Sequence, residues 1–190
     1  PTSIAKKMLK KQKKGTLTVK LFKDKAELRQ WAPRIGRAYN DAFVNNWEYY
    51  PMTQGEINLL LSNLLDVINP RLIKIITYDE KIVGFLIAFP DITRALQRHN
   101  GRITPFALVD ILVSLKKTDW VSLNGAGVLP EYHGRGGNAL LYYEMEKTLK
   151  DFGFTYWELT QVAETATQMR KDLTTAGGDF YKTHRVYHKQ

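Results

Sequence analysis

The sequence contains no cysteine, which excludes disulfide bonds, thiolate nucleophiles and cysteine-based metal sites. Its four histidines show no H-x-x-x-H spacing and no carboxylate cluster is visible, so we predict no metal site. No apolar run reaches the roughly 18 residues of a membrane span; residues 103–115 come closest, but they include Asp110. Because no signal-peptide pattern begins the chain either, we expect a cytoplasmic protein.

Acidic residues are missing from the first 14 positions, which hold six lysines. These lysines carry most of the formal net charge of +9. We therefore predict a basic arm at residues 1–15 and a single folded domain at residues 16–190. Such an arm could bind nucleic acid or an anionic surface, but it is more often only solvated, so nucleic acid is not an expected partner. Since the chain begins with Pro1, we expect either a removed initiator methionine or a longer parent chain.

The periodicity of apolar residues predicts alternating strands and helices. Aromatic residues at 43–50 are interpreted as core, with an acceptor pocket as the alternative. The first half is predicted to contain a strand at 17–21, a helix at 25–39 interrupted near Pro33, a helix after the capping box of Thr53 and Glu56, and a hairpin at 72–77 and 82–89. A helical insertion at 91–118 follows. The second half is predicted to contain a strand at 121–129, a helix ending at Gly153, a strand at 156–160, a helix at 164–176 and a final strand at 180–187.

The chain is organised around residues 121–152, which read as a strand, a glycine-rich turn and an amphipathic helix. Pro130 ends the strand because it cannot donate a hydrogen bond to a sheet. The turn opens a helix, whose first N–H groups and dipole favour an anion such as phosphate. Arg135 adds a positive charge nearby. The alternative is a glycine-rich connection without a ligand.

Residues 128–136, Val-Leu-Pro-Glu-Tyr-His-Gly-Arg-Gly, resemble the acyl-CoA-binding segment of the GNAT superfamily of N-acetyltransferases. The order of predicted elements extends this resemblance to most of the chain. Two residues depart from the usual pattern: His133 replaces Gln or Arg, and Asn138 replaces Gly or Ala. The resemblance implies that acyl-CoA contacts Val128, Leu129, His133, Gly134, Arg135, Gly136, Gly137, Asn138 and Ala139.

The same resemblance implies the fold class, an α/β fold with a mixed, splayed central sheet flanked by helices on both faces. The splay is expected between the strands at 121–129 and 156–160, where the pantetheine arm of CoA would lie. Gly125, Ala126 and Gly127 would leave room for that arm. Alternatively, these small residues only permit close packing.

The implied reaction moves an acyl group, most often acetyl, from CoA to an amine that attacks the thioester directly. A backbone N–H near Val128 would polarise the carbonyl. Many GNAT members carry a Glu where this chain has Ser122, and a Tyr in the last helix where it has Leu173. Substitute catalytic candidates are Asn124, Ser122, Glu158 and Tyr181, with Asp110 as a further carboxylate.

Two hypotheses follow from these residues. The first is an N-acetyltransferase that uses acetyl-CoA or another acyl-CoA and acts on an amine-bearing small molecule or peptide. The second is a catalytically silent GNAT-like module that binds CoA or a partner, and such a module could be half of a longer protein. We further expect the insertion at 91–118 to form one wall of the acceptor site.

Overall fold

The computed structural model describes residues 16–44, 49–160, 162–175, 177–185 and 187. The chain divides into two compact units, one of residues 2–160 and one that contains residues 161–190. The basic arm at residues 1–15 lies outside the described residues. Its extent, and the assignment of residues 16–190 to a single domain, therefore stay predictions.

A five-stranded mixed sheet forms the centre of the larger unit, and its strands lie side by side in chain order. Neighbouring strands are antiparallel except the last two, which are parallel. The strands are β1 Thr18–Lys20, β2 Ile73–Tyr78, β3 Lys81–Pro90, β4 Trp120–Val128 and β5 Tyr156–Leu159. The predicted hairpin is β2–β3.

Among the described residues, the larger unit contains five α-helices and the smaller unit contains one. The helices are α1 Lys25–Phe43, α2 Gln54–Val67, α3 Thr93–Arg98, α4 Pro105–Lys117, α5 Gly137–Phe152 and α6 Thr167–Thr175. The capping box is confirmed at the start of α2, where the Thr53 N–H donates to Glu56 Oε2 at 2.8 Å. Within the predicted insertion at 91–118, the structure has the helices α3 and α4.

The central strand β3 separates two hydrophobic cores, because its side chains alternate between the faces of the sheet. Leu86 and Ala88 join the core beneath α5, which contributes Leu141, Met145 and Leu149. Phe85 joins the opposite core, built on α1 and α2. The predicted mixed sheet with helices on both faces is therefore confirmed.

The predicted interruption of the first helix near Pro33 is wrong. α1 runs unbroken through Pro33 for 19 residues. Proline removes one backbone hydrogen bond and crowds the preceding turn. The apolar face of α1 spans the proline, with Ala32 and Ile35 buried on either side of it, so packing against the sheet outweighs the local cost.

A two-residue turn joins β2 to β3. Asp79 and Glu80 both have positive φ, 46° and 65°. A two-residue hairpin turn of this kind requires positive φ at both central residues, and its twist matches that of the flanking strands. Arg34 donates from Nη2 to the carbonyl oxygen of Glu80, which ties the turn to α1.

The predicted final strand at 180–187 is wrong for the described residues in that range, none of which is in a strand. Among the strands that the structure describes, β5 therefore lies at the edge of the sheet. The segment contains the aromatic residues Phe180, Tyr181 and Tyr187, and all three are exposed. Strand propensity depends on cross-strand neighbours, which the composition of a segment does not reveal.

Candidate active site

Strand β4 is paired along both edges only over its first four residues. Trp120–Leu123 lie beside Tyr156–Leu159, and the Thr160 N–H then reaches Leu123 O at 3.4 Å. Pairing with β3 on the other edge continues to Val128. Within the described part of the chain, the β5-facing edge of residues 124–128 therefore has no neighbouring strand.

A β-bulge lies where the two strands part. Leu86 pairs with Ala126 and Ala88 pairs with Leu123, so Asn124 and Gly125 together face a single residue of β3. Gly125 has a φ of 100°, a conformation that side chains strongly disfavour. Bulges bend a strand and increase its twist, which explains why β4 turns away from β5 here.

The small residues after the bulge have different roles. A Cβ atom on Gly127 would lie 3.1 Å from Ala42 Cβ and 3.0 Å from the Phe85 ring. Gly127 is thus required for packing of α1 on the sheet, as the alternative interpretation held. Gly125 has more space, because its nearest neighbour would be Tyr39 at 3.6 Å.

The end of β4 is fixed to the sheet by its backbone. The Leu129 N–H donates to Val83 O at 2.8 Å. The side chains of Val128 and Leu129 are buried in the core beneath α5. Only the main chain of these two residues is therefore left to contact a ligand.

Two left-handed glycines shape the loop that follows. Gly134 and Gly136 have φ values of 73° and 82°. Gly136 is the N-cap of α5. Because glycine has no side chain, Gly136 makes no side-chain hydrogen bond to the first N–H groups of the helix. Gly137 is different: a Cβ there would lie 3.2 Å from Ile76 Cδ1, so it is needed for packing.

His133 and Arg135, the residues on either side of Gly134, make contacts that hold the loop. His133 Nε2 donates to Val128 O at 2.7 Å, closing the loop onto the strand end. The Arg135 guanidinium lies over the Tyr132 ring, 5.1 Å from its centroid, and 5.9 Å from that of Tyr78. Arg135 is exposed, as is Ala139, whereas Asn138 is half-buried on the first helical turn. The sequence prediction had not anticipated the tyrosine contacts.

Three catalytic candidates share one face of the sheet. Ser122 and Glu158 are register partners in the parallel β4–β5 pair. Side chains of paired residues point to the same face, and Asn124 follows Ser122 by one strand period, at the bulge. Ser122 also pairs with Phe89, which belongs to the α1 side of the sheet. This face is opposite to α5.

The remaining two candidates lie elsewhere. Tyr181 belongs to the unit of residues 161–190 and is exposed, with Lys182 Nζ 4.7 Å from its ring centroid. Asp110 accepts two hydrogen bonds from Arg98, at 2.8 and 2.9 Å, and contacts His99 at 3.1 Å. The Arg98 hydrogen bonds lower the pKa of Asp110, which makes this carboxylate a poor base.

Tyr39 is a candidate that the sequence analysis missed. It stacks on Phe85, with centroids 5.4 Å apart, and its ring edge adjoins Gly125 at the bulge. Burial raises the pKa of Tyr39, so its hydroxyl stays protonated well into alkaline solution. Tyr39 follows the buried Ile35 by one turn of α1, and this helical spacing was the sequence feature that could have placed its ring against the sheet.

Thr160 was also missed. It comes directly after the last paired residue of β5, where the strands part. Its Oγ1 atom is buried and has no hydrogen-bond partner among the residues that the structure describes. A buried hydroxyl without a partner carries a free-energy cost, which a bound polar group would remove.

The family model of the acetyltransferase (GNAT) family matches residues 32–171. The chain belongs to the GNAT family. The match covers the split between β4 and β5, the glycine loop and α5. The resemblance inferred from residues 128–136 is therefore confirmed.

Curated relatives of this GNAT chain are longer than it is. It is 28% identical over 174 residues to the bacterial ceramide synthase of Caulobacter vibrioides (strain NA1000 / CB15N), covering 87% of the chain and 45% of that protein. It is 28% identical over 160 residues to protein YghO of Escherichia coli (strain K12), covering 80% and 40%. The chain thus spans less than half the length of either relative.

A solved structure shares the GNAT fold. The aminoglycoside N-acetyltransferase AAC(6')-Iy, in complex with CoA, matches with a TM-score of 0.56 and 16% identity, covering 92% of this chain and 95% of its own. At this level of identity the likeness concerns the fold alone.

The described part of this GNAT chain contains no group of three or more His, Asp or Glu residues arranged to hold a metal ion. Its described helices include none with the length and apolar character needed to cross a bilayer.

Proposed function

We propose that this GNAT chain provides the acyl-CoA site of an N-acyltransferase, which transfers an acyl group to a long-chain amine. The observation that carries the proposal is the open edge of β4 ending at an uncapped helix N-terminus. An extended amide-bearing chain and an adjacent diphosphate, the two parts of CoA, fit these neighbouring features.

The diphosphate is assigned to the loop at residues 134–139. Gly134 and Gly136 let the backbone approach phosphate oxygens without a Cβ in between, and the α5 dipole favours their charge. Arg135 supplies a charge-assisted contact at the exposed rim. His133 shapes the loop instead, because its Nε2 hydrogen is used by Val128 O.

The pantetheine arm is assigned to the open edge at residues 124–128, with the Thr160 hydroxyl as an additional hydrogen-bond partner. This arrangement directs the thioester toward the bulge at Asn124 and Gly125. A backbone N–H of the open edge beside the bulge polarises the carbonyl there.

The chemistry requires two proton transfers. The amine nitrogen forms a bond to the thioester carbon, the carbon–sulfur bond breaks, and CoA leaves as a thiolate. Glu158, directly or through water held by Ser122 and Asn124, accepts the proton that the amine loses. Tyr39, kept protonated by its raised pKa, donates a proton to the sulfur.

The class of acceptor is inferred from a relative. The name of the Caulobacter relative is that of a ceramide synthase, and a ceramide is the amide of a long-chain amino alcohol. An amide of this kind is the product of acyl transfer from CoA to a lipid amine. We therefore propose a long-chain amine within the broader class of amine-bearing small molecules, and leave the acyl length to experiment.

The test measures thiol release from acetyl-CoA, octanoyl-CoA and palmitoyl-CoA with sphinganine, spermidine or a lysine peptide as acceptor. Mass spectrometry then identifies the amide. We expect turnover with sphinganine and none with the peptide. Tyr39→Phe should lower kcat and leave KM for acyl-CoA unchanged. Thiol release from none of the pairs would contradict the proposal.

Binding is tested separately, by calorimetry with acyl-CoA. Gly136→Asp adds bulk and like charge where the diphosphate is assigned, so binding should be abolished. Gly153→Asp is the matched control, because Gly153 has a similar φ of 78° at the opposite end of α5. If the parent and Gly136→Asp bind acyl-CoA equally well, the assignment of the CoA diphosphate to the loop at 134–139 is wrong.

The second candidate is the silent module, favoured by Ser122 and Leu173 standing where catalytic residues are usual in the family. Tight acyl-CoA binding without turnover for any acceptor would support it instead.

A further inference from the structure

Helix α4 presents an apolar side to solvent. Phe106, Val109 and Leu112 are 82%, 62% and 60% exposed. Val109, Leu112, Val113 and Lys116 follow the i, i+3, i+4, i+7 spacing that places residues on one side of a helix. Apolar side chains grouped in this way are uncommon on the free surface of a soluble domain and mark an interaction site.

The opposite side of the helix is partly covered and mixes apolar and polar residues, since Ile111, Ser114 and Leu115 are half-buried. Ala107 is buried and Ser114 is half-buried, and between them Asp110 binds Arg98 and His99. The helix packs mainly against α3. These contacts link α4 to α3 and to His99, which directly follows α3.

Cations lie at both ends of the apolar side. Arg102 precedes the exposed Ile103 at one end, and Lys116 and Lys117 close the other. Residues 92–118 contain five basic residues and a single acid, Asp110, a formal net charge of +4. Because Asp110 is paired with Arg98, no acidic side chain of this segment opposes an anionic partner.

We propose that this surface, formed by Ile103, Phe106, Val109, Leu112 and Val113 with its flanking cations, docks on an anionic lipid bilayer. An interfacial helix buries an apolar side at the level of the headgroups and keeps its basic residues against lipid phosphates. Lysines at the end of an apolar side reach the headgroups while their stems stay in the apolar layer. Docking is independent of acyl transfer, and the two proposals can fail separately.

The absence of cysteine allows a site-specific test in the full chain. Val109→Cys and, as the matched control, Leu59→Cys are each labelled with an environment-sensitive nitrobenzoxadiazole dye. Leu59 is 64% exposed and lies on α2, so its label meets water equally but belongs to another surface. Vesicles of phosphatidylcholine and phosphatidylglycerol in equal parts are added, without CoA or amine.

We expect the label at residue 109 to shift to the blue and brighten several-fold, whereas the label at residue 59 does not change. The control also removes the contribution of the lysines at residues 1–15, which attract the whole chain to vesicles without inserting α4. Phe106→Asp with Val109→Asp should reduce co-sedimentation in high salt about ten-fold. Lys116→Glu with Lys117→Glu should weaken binding to anionic vesicles at low salt only.

The proposal is overturned if the label at residue 109 does not respond to vesicles. It is equally overturned if that label responds to protein concentration without lipid, since a second copy of the chain would then be the partner. Circular dichroism of each variant shows whether the fold persists. The test does not rely on the aspartate variants, because the label at residue 109 replaces an exposed side chain without adding a charge.

Discussion

Helices α4 and α5 differ in where their large apolar residues lie. α5 buries Leu141, Met145 and Leu149 and exposes ion pairs such as that between Lys150 and Glu146. α4 exposes five large apolar residues, Phe106, Leu108, Val109, Leu112 and Val113, and its Asp110 pairs with the exposed Arg98. Both helices have periodic apolar residues in sequence, yet only one uses them to build a core.

The comparison shows that periodicity predicts a helix more reliably than it predicts which side faces inward. For α5, the adjoining strands and the glycine loop fix the inward face. Helix α4 packs mainly against the short helix α3, to which Asp110 adds an ion pair with Arg98. Burial of apolar surface therefore contributes less to the placement of α4 than to that of α5.

The largest expected difference is in core truncation. Leu149→Ala should lower the free energy of unfolding by about 2–5 kcal/mol, because it leaves a cavity beneath α5. Leu112→Ala on α4 should change it by about 0.5 kcal/mol or less. Urea unfolding followed by circular dichroism measures both. A large loss from Leu112→Ala would mean that the outer side of α4 is covered.

The next effect concerns a charge beneath α5. Lys74 is 3% exposed, and its Nζ donates to Thr148 Oγ1 at 2.7 Å. Burial lowers the pKa of Lys74 to about 8, whereas the unfolded chain titrates near 10.4. The unfolded state therefore binds more protons between these values, so stability rises with pH across this window.

Lys74→Met removes the buried charge while keeping an unbranched side chain. It should raise the free energy of unfolding at pH 7 by about 1–3 kcal/mol. The gain should shrink as the pH approaches 10, where the parent's lysine is largely neutral in the folded state. Denaturation at both pH values tests this, and a variant less stable at pH 7 would show that the Thr148 contact outweighs the burial cost.

A smaller effect is expected at the ion pair of α4. Asp110→Asn keeps the shape of the side chain but removes the charge that Arg98 binds. Because the pKa of Asp110 is lowered in the folded state, its contribution is present at neutral pH and is lost as the pH falls through that pKa. Limited proteolysis of the 99–104 connection should be faster in the variant at pH 7. Equal rates would mean that α4 is held otherwise.

The smallest effect is expected on the outer side of α5. Glu146→Gln breaks the i,i+4 pair with Lys150, whose atoms are 2.6 Å apart. Such pairs stabilise a helix by about 0.2–0.5 kcal/mol, and salt weakens them. The measured loss should therefore vanish at high salt, and a loss that persists there would indicate a role other than charge.

Much of the fold follows from the sequence. The capping box at Thr53, the β2–β3 hairpin and the stop of α5 at Gly153 were predicted because each depends on local chemistry. The glycine loop was found for the same reason. The final strand was predicted wrongly, since a strand depends on a distant partner that sequence pattern does not reveal.

The candidate site could be predicted only in part. Residues 128–139 are contiguous, so their order indicates their chemistry. Tyr39 and Thr160 escaped notice because their importance comes from contacts across the fold, at the bulge and at the end of β5. Arg135 was predicted beside the loop, but its position over two tyrosines could not be read from spacing.

The turn at Asp79 and Glu80 has a consequence for engineering. Both residues adopt the left-handed conformation that glycine enters at no steric cost. Arg34 binds the carbonyl of Glu80 and not its carboxylate, so a glycine at residue 80 would keep that bond. A glycine at residue 80 should therefore stabilise the hairpin, which adjoins the loop at 134–139 because Arg135 lies over the ring of Tyr78. A chain stabilised in this way would tolerate the long incubations that mapping of acceptors requires.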